Sequence, residues 1–269
     1  GDWQPTASLA VLRRRAALLA QARAFFAARG VLEVETPLMV TAPVTDVNLQ
    51  SVPVLLDRDS KPLWLHTSPE YAMKRLLAAG SGDIWQLCRV VRGAERSSLH
   101  NPEFTMIEWY RAGFTLDALM DEVAALCVAL AGPRAIRKLH YREAFEHSTG
   151  LDPLGCTTAA LREAAIPLAL PDASLAALSR DELLDLLMGL RVGPQLGHGQ
   201  FSFISHYPAS QAALARLDDA DPRVALRFEL YADGIELANG FQELSGAAEQ
   251  RRRFEADNAE RRRRALPER

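Results

Sequence analysis

Residues 226–244, LRFELYADGIELANGFQEL, constrain the fold of this chain more than any other stretch. Asp233-Gly234 separates two runs in which apolar and polar residues alternate, which is typical of a β-hairpin with a two-residue turn. The segment therefore predicts two adjacent antiparallel strands. Counting outward from the turn gives the predicted opposing pairs, which are Ala232 with Ile235, Tyr231 with Glu236, and Glu229 with Ala238.

This register places the carboxylates of Glu229 and Glu236 on one face as diagonal neighbours, roughly 7–8 Å apart between their α-carbons. Two carboxylates at that spacing could hold Mg²⁺ between them. The alternative is a pair of solvated glutamates on an exposed sheet face, because charged side chains are mostly exposed. The hairpin alone leaves both interpretations open.

Two further polar residues of the second strand, Asn239 and Glu243, have the opposite parity to Glu236. All three side chains can share one site only if the strand contains a bulge or kink. Glycine is common at such irregularities, so the sequence predicts the bulge at Gly240.

A second alternating run, EFTMIEWY, ends at Tyr110 and carries apolar residues on both faces. It predicts a buried strand, in which Glu108 needs a compensating cation or set of donors. That partner could be a ligand, or the protein's own Arg111 in a structural ion pair. The preceding strand, residues 82–92, joins it through about ten polar residues and predicts a long-looped hairpin.

Other segments predict a helix-rich chain around these strands. Residues 8–30 have the apolar period of an amphipathic helix, with Ser8 as N-cap and Gly30 after its end. Its predicted apolar stripe consists of Leu12, Ala16, Leu19 and Phe26. Further predicted elements are a strand and helix within residues 62–80, a helix at 116–132, and a strand at 200–208.

Two regions have a less definite interpretation. Residues 133–200 contain short helices, one with Ser179 and Glu182 placed as a capping box, and are interpreted as a surface insertion. Residues 249–269 have a helical period and many arginines. Because acidic residues are interspersed among the arginines, the segment favours a solvated charged helix. A nucleic-acid-binding arm is the alternative.

Composition excludes several classes of protein. The 269 residues are 48% hydrophobic and 24% charged, with a net charge of −3, so no overall basic surface for nucleic acid is indicated. The three cysteines are widely spaced, which predicts neither a disulfide framework nor a zinc site. Neither a signal-peptide core nor a membrane-spanning run is present. We expect a cytoplasmic protein.

Three motifs, in this order, resemble the class II aminoacyl-tRNA synthetases. GVLEVETPLM after the first helix resembles motif 1, VVRGAERSSLHNPEFTMIEWY resembles motif 2, and GIELANGFQEL resembles the strand before motif 3. HNPEFTM with NGFxEL is specific to the lysine-type enzymes. The resemblance begins near residue 8, without the preceding OB-fold domain, and HYPASQAALA is similar to the truncated paralogues, the elongation factor P–lysine ligases.

This resemblance implies one catalytic domain over residues 1–269, with an α/β fold whose mostly antiparallel central sheet is flanked by helices. It implies ATP and Mg²⁺ as cofactors, lysine or (R)-β-lysine as substrate, elongation factor P as acceptor, and no tRNA. The motif 1 region further implies a homodimer.

The resemblance also implies roles for individual side chains. Arg92 bridges the substrate carboxylate and the α-phosphate and is the expected catalytic residue. Glu236 binds both the metal and the amino acid. The other implied ATP-binding residues are Glu95, His100, Asn101, Phe104, Glu229 and Leu230, with Glu229 also a metal ligand. The other implied substrate-binding residues are Ser68, Glu70, Glu108, Tyr110, Asn239 and Glu243.

The sequence departs from the family pattern in two places. The family has R-x-E in motif 2, whereas here position 94 is alanine and the acid follows as Glu95. Motif 3 is absent from the 269 residues, which predicts fewer ATP contacts. Two alternatives to the ligase therefore stay open: a non-catalytic synthetase-like binding module, and a lysyl-tRNA synthetase fragment.

Overall fold

The computed structural model describes residues 3–57 and 61–269. They form two compact units. Unit 1 comprises the residues up to Gly113 together with Ala247–Arg269, and unit 2 is Phe114–Gly246. The expectation of one catalytic domain over residues 1–269 stays a prediction, and residues 1–2 and 58–60 of that range lie outside the described part.

Helices and strands together confirm the predicted α/β class. In chain order the described α-helices are α1 (Leu9–Ala27), α2 (Glu70–Ala78), α3 (Leu116–Ala131), α4 (Tyr141–Thr149), α5 (Thr158–Ala165), α6 (Asp172–Ala177), α7 (Arg180–Leu187) and α8 (Ala247–Arg263). The described strands are β1 (Leu32–Glu33), β2 (Met39–Val40), β3 (Val52–Val54), β4 (Leu63–Leu65), β5 (Ile84–Val91), β6 (Glu103–Tyr110), β7 (Ala135–His140), β8 (Gln200–Pro208), β9 (Val224–Ala232) and β10 (Ile235–Phe241). None of these helices is long and apolar enough to cross a membrane.

The strands form three sheets, of which two are in unit 1. One has the order β1-β5-β6, with β1 parallel to β5 and β5 antiparallel to β6, and the other is the antiparallel β2-β4-β3. Unit 2 contains β10-β9-β8-β7, antiparallel except for the parallel pair β7–β8. Antiparallel pairing therefore predominates, as predicted.

The buried residues of the first helix lie in its carboxyl-terminal half. Ser8 caps its start by accepting a hydrogen bond from the Val11 amide. Phe26 is fully buried and stacks on Trp85 of β5, with 4.5 Å between ring centroids. The predicted stripe is wrong at its amino-terminal end, where Leu12 is 46% exposed and Ala16 is also exposed.

The segment 133–200 contributes to the core of unit 2. It supplies strand β7 and helices α4 to α7, which bury Tyr141, Phe145 and Leu184 against residues of the sheet such as Ile204. The capping box is confirmed: the Ser179 hydroxyl accepts from the Glu182 amide. The segment is thus not peripheral within unit 2, and its status as an insertion relative to the family stays a prediction.

Helix α8 is docked rather than fully solvated. Arg261 is only 3% exposed, and its guanidinium donates to the carbonyl oxygens of Asp46, at 3.1 Å, and Pro267, at 2.7 Å. The Thr45 hydroxyl donates to Asp257 at 2.6 Å. The carbonyl oxygens of Asp46 and Pro267 supply the acceptors that a buried guanidinium requires. The expectation of a solvated helix is therefore wrong for the face of α8 that carries Arg261.

Candidate active site

The hairpin β5–β6 displays the predicted unit 1 residues. Its register pairs Gln86 with Glu108 and Val90 with Phe104, so Phe104, Met106, Glu108 and Tyr110 alternate onto one face as predicted. These side chains are half-buried rather than buried. An open face of this kind leaves Glu108 accessible to a ligand.

Glu108 and Tyr110 form one polar pair. The Tyr110 hydroxyl donates to Glu108 Oε1 at 2.8 Å, which helps to orient the carboxylate. Arg111 lies 3.0 Å from Asp83 through Nη1.

Burial raises the pKa of the Cys88 thiol to about 11, and the negative charge of Glu108 adds to this effect. The thiol is therefore protonated near neutral pH and is a poor nucleophile.

Arg92 is the first residue of the loop between β5 and β6, and its guanidinium contacts Thr67 and Glu95. Its Nε donates to the Thr67 carbonyl at 3.2 Å, and Nη1 lies 3.4 Å from Glu95 Oε1. The guanidinium carbon is 5.3 Å from the centroid of the Phe104 ring. Glu95 is therefore close enough to orient Arg92, despite its shift by one position from the family pattern.

The remaining nucleotide-binding candidates of unit 1 are exposed. Ser97 Oγ lies 2.9 Å from His100 Nδ1, which shapes the loop, and Asn101 follows at its end. Both residues are exposed and therefore accessible to a ligand. Their assignment to ATP stays a prediction.

Ser68 and Glu70 lie together at the start of α2. The Glu70 amide donates to Ser68 Oγ at 3.3 Å. Lys74, one turn later, donates to Glu70 Oε1 at 2.6 Å. Glu70 thus has a cationic partner within the protein, and a substrate amine would share or replace that contact.

In unit 2 the β9–β10 hairpin forms at Asp233-Gly234, and its first two predicted pairs are confirmed. The third is wrong: Glu229 lies opposite Asn239, because the register shifts between Glu236 and Ala238. The bulge is thus at Leu237 and not at Gly240. It still brings Glu236 and Asn239 onto the face of Glu229.

Gly240 is explained by packing. It pairs regularly with Phe228, and a β-carbon there would lie 2.6 Å from Cζ of that ring. Phe228 is fully buried. Glycine is needed at 240 because the aromatic ring lies over its backbone.

Glu229 is held from two sides. Arg227 Nη2 donates to Oε1 at 2.5 Å, and the Tyr231 hydroxyl donates to Oε2 at 2.6 Å. Burial, together with the negative charge of Glu229, raises the pKa of Tyr231, so its hydroxyl keeps its proton and acts as a donor. Leu230, the next residue of β9, is fully buried, and its assignment to ATP stays a prediction.

Sequence reasoning did not identify Arg227, which also donates to Asn239 Oδ1 at 3.1 Å. The sequence spacing could have indicated it, because Arg227 and Glu229 are two residues apart on one strand and therefore lie on the same face. Glu243 lies beyond β10, in an isolated bridge with Ala215, and is partly buried. The structure therefore joins Glu229 to Asn239 through Arg227.

The acidic residues of unit 2 are compatible with Mg²⁺. Within residues 3–57 and 61–269, no group of three or more histidine, cysteine or acidic side chains is arranged to hold a metal alone. Mg²⁺ usually takes one or two protein carboxylates, with water and substrate phosphates completing its shell. Glu229 and Glu236, on one face of the hairpin, fit that pattern.

The chain matches the family model of class II tRNA synthetases (D, K and N) over residues 2–266. The chain belongs to this family. A relative from Sodalis glossinidius (strain morsitans), named elongation factor P–(R)-β-lysine ligase, is 48% identical over 97% of this chain and 81% of its own length. Relatives of the same name from Pectobacterium carotovorum and Yersinia enterocolitica are each 48% identical, over 99% of this chain and 83% of their own lengths.

This membership confirms the resemblance found in the sequence. It also confirms the expectation of a ligase-type enzyme, because both the family and the named relatives are ligases. Which side chains bind which ligand stays a prediction, since neither the family match nor the names assign residues.

Proposed function

We propose that this class II enzyme activates (R)-β-lysine, or lysine, with ATP and transfers it to a lysine side chain of elongation factor P. The observation that carries the proposal is the hairpin β5–β6, which presents Arg92 and the pair Glu108–Tyr110. The guanidinium of Arg92 can bind a carboxylate and a phosphate. The carboxylate of Glu108, with Tyr110 beside it, can bind an ammonium group. The names of the relatives supply the acceptor.

The first step joins the amino acid to AMP. An oxygen of the substrate carboxylate attacks the α-phosphorus, the bond to the β-phosphate oxygen breaks, and pyrophosphate leaves. Arg92 donates to the carboxylate and the α-phosphate and so offsets the charge that develops between them. Glu95 orients Arg92, while Phe104 stacks on the base near His100 and Asn101. Mg²⁺, when bound, neutralises phosphate charge.

The second step moves the acyl group. The neutral amine of the acceptor lysine attacks the acyl carbon, an amide bond forms, the bond to the AMP oxygen breaks, and the amine loses a proton. Glu108 and Tyr110 hold the side-chain ammonium of the substrate, and Ser68 and Glu70 receive its other amine. The unit 2 residues proposed to take part are Glu229 and Glu236 as metal ligands, and Asn239 and Glu243 as contacts of the amino acid.

The proposal is tested by ATP–pyrophosphate exchange with no amino acid, L-lysine or (R)-β-lysine added. We expect exchange that depends on one of the lysines, with Mg²⁺ required. Transfer to elongation factor P, followed by mass spectrometry, tests the second step. Binding of both ligands without exchange would favour the non-catalytic module. Aminoacylation of tRNA in place of elongation factor P would favour the synthetase fragment.

We also propose a homodimer. Unit 1 exposes several large apolar side chains in the motif 1 region, and surfaces of this kind commonly mark protein interfaces. The residues with more than two-fifths of their surface exposed are Leu9, Val11, Leu12, Leu32, Leu38 and Met39.

Replacing Leu12 with glutamate should shift the protein toward monomer, because a carboxylate would be buried in the interface. Sedimentation velocity across a concentration series measures the change. The matched control is Leu190→Glu, at a leucine of unit 2 that is 55% exposed. A wild-type protein that is monomeric at micromolar concentration would contradict the proposed dimer.

A further inference from the structure

Arg227 contacts three separate segments of unit 2. Its Nη2 donates to Glu229 Oε1 at 2.5 Å, its Nε to Asn239 Oδ1 at 3.1 Å, and its Nη1 to the Gln211 carbonyl at 3.0 Å. Its side chain is only 16% exposed. A single rigid guanidinium therefore ties β9, β10 and the turn after β8 together.

These contacts determine side-chain positions that the strand pairing leaves free. Glu229 and Asn239 lie opposite each other in the ladder, which fixes their α-carbons. Asn239 is exposed, so its amide could otherwise rotate among several rotamers. The planar fork of Arg227 accommodates both acceptors only in a particular arrangement, and lysine cannot reproduce that arrangement with one nitrogen.

Aromatic residues support the guanidinium. Its carbon lies 4.2 Å from the centroid of the Tyr207 ring, within the range of a cation–π contact. A register shift between Ser205 and Tyr207 turns that ring onto this face, and His206 at the shift has a left-handed φ of 59°. The segment that resembles the elongation factor P–lysine ligases, HYPASQAALA, thus contributes both the ring and the Gln211 carbonyl.

We propose that Arg227 is a positioning residue that couples the carboxylate of Glu229 to the amide of Asn239. The inference rests on the proposed function, in which Glu229 serves ATP and its metal and Asn239 serves the amino acid. Arg227 then controls both ligands without touching either. Its positive charge also compensates Glu229 in the absence of a metal.

The test replaces Arg227 with lysine, which keeps the charge but loses the fork. We expect KM for ATP and KM for the amino acid each to rise at least about tenfold in pyrophosphate exchange, as for other residues that orient ligand-binding groups. Arg223→Lys is the matched control, since Arg223 is four residues earlier and pairs with Asp221 at the surface. Changes of less than threefold in either KM would overturn the proposal.

A second variant separates positioning from a general loss of structure. Tyr231→Phe removes the other donor to Glu229 and leaves the contact between Arg227 and Asn239 in place. We expect it to raise KM for ATP while KM for the amino acid stays within threefold of wild type. Equal rises in both constants would indicate a structural effect and count against the coupling.

A readout without catalysis distinguishes failure of this inference from failure of the proposed function. In ¹⁵N-arginine-labelled protein, the Nε–H of Arg227 should exchange with water far more slowly than that of exposed Arg251, and Asn239→Ala should accelerate it. Equal exchange of Arg227 and Arg251 in wild type would overturn the inference, whatever the activity. Slow exchange in a protein that activates neither lysine would instead leave the contact supported and the proposed function refuted.

Discussion

Arg92→Lys is expected to lower kcat/KM for amino-acid activation by about 100-fold to 1,000-fold, the range found when one donor that stabilises a transition state is lost. Arg92 has Nε on the Thr67 carbonyl and Nη1 near Glu95, so the planar group is already oriented for a ligand. Lysine retains the charge, but it is a single point donor and cannot bridge a carboxylate and a phosphate.

Pyrophosphate exchange measures this loss, and the thermal midpoint checks that the variant is folded. Arg96→Lys is the control in the same loop, at an exposed position. Its kcat/KM should stay within threefold of wild type. If Arg92→Lys were equally active, the proposed role of Arg92 at the reacting atoms would have to be abandoned.

Glu108→Gln is expected to raise KM for the amino acid by about 100-fold while KM for ATP changes by less than threefold. The substitution keeps the shape of the side chain and its ability to accept from Tyr110, but removes the charge that an ammonium group requires. Losing a charged partner in a binding site costs about 2–4 kcal/mol, which corresponds to this factor.

The control for Glu108→Gln lies on the same strand. Glu103 has a side chain that is 62% exposed and pairs with Arg89 at 3.5 Å, so Glu103→Gln removes a charge of little energetic consequence. Both constants should remain near wild type in that variant. Parallel losses of ATP and amino-acid affinity in Glu108→Gln would mean that the ammonium pocket is elsewhere.

Local patterns predicted both hairpins, because period-2 alternation and the Asp233-Gly234 turn are encoded in neighbouring residues. The bulge was misplaced because its residue, Leu237, carries no sign of irregularity, whereas glycine often does. Gly240 is required by the ring of Phe228, a contact between strands that a single strand's sequence does not reveal.

Tertiary contacts explain the other differences. The buried residues of α1 lie only in its carboxyl-terminal half, and α8 is docked by Arg261, although both helices show a regular helical period in sequence. The helical period of a sequence identifies which side chains share one face of the helix, but it does not show which other residues pack against that face. Arg227 was missed for a related reason: its importance comes from Asn239 and Gln211, which lie 12 and 16 residues away along the chain.

The division of the chain between the two units has a consequence for biosynthesis. Unit 2 is one continuous segment, whereas unit 1 needs α8, whose Arg261 reaches the Asp46 carbonyl across 215 residues of sequence. During translation unit 2 can complete its core while unit 1 still lacks its last helix. Because domains fold as units and long-range contacts form slowly, unit 1 should be the later and more chaperone-dependent part of the nascent chain.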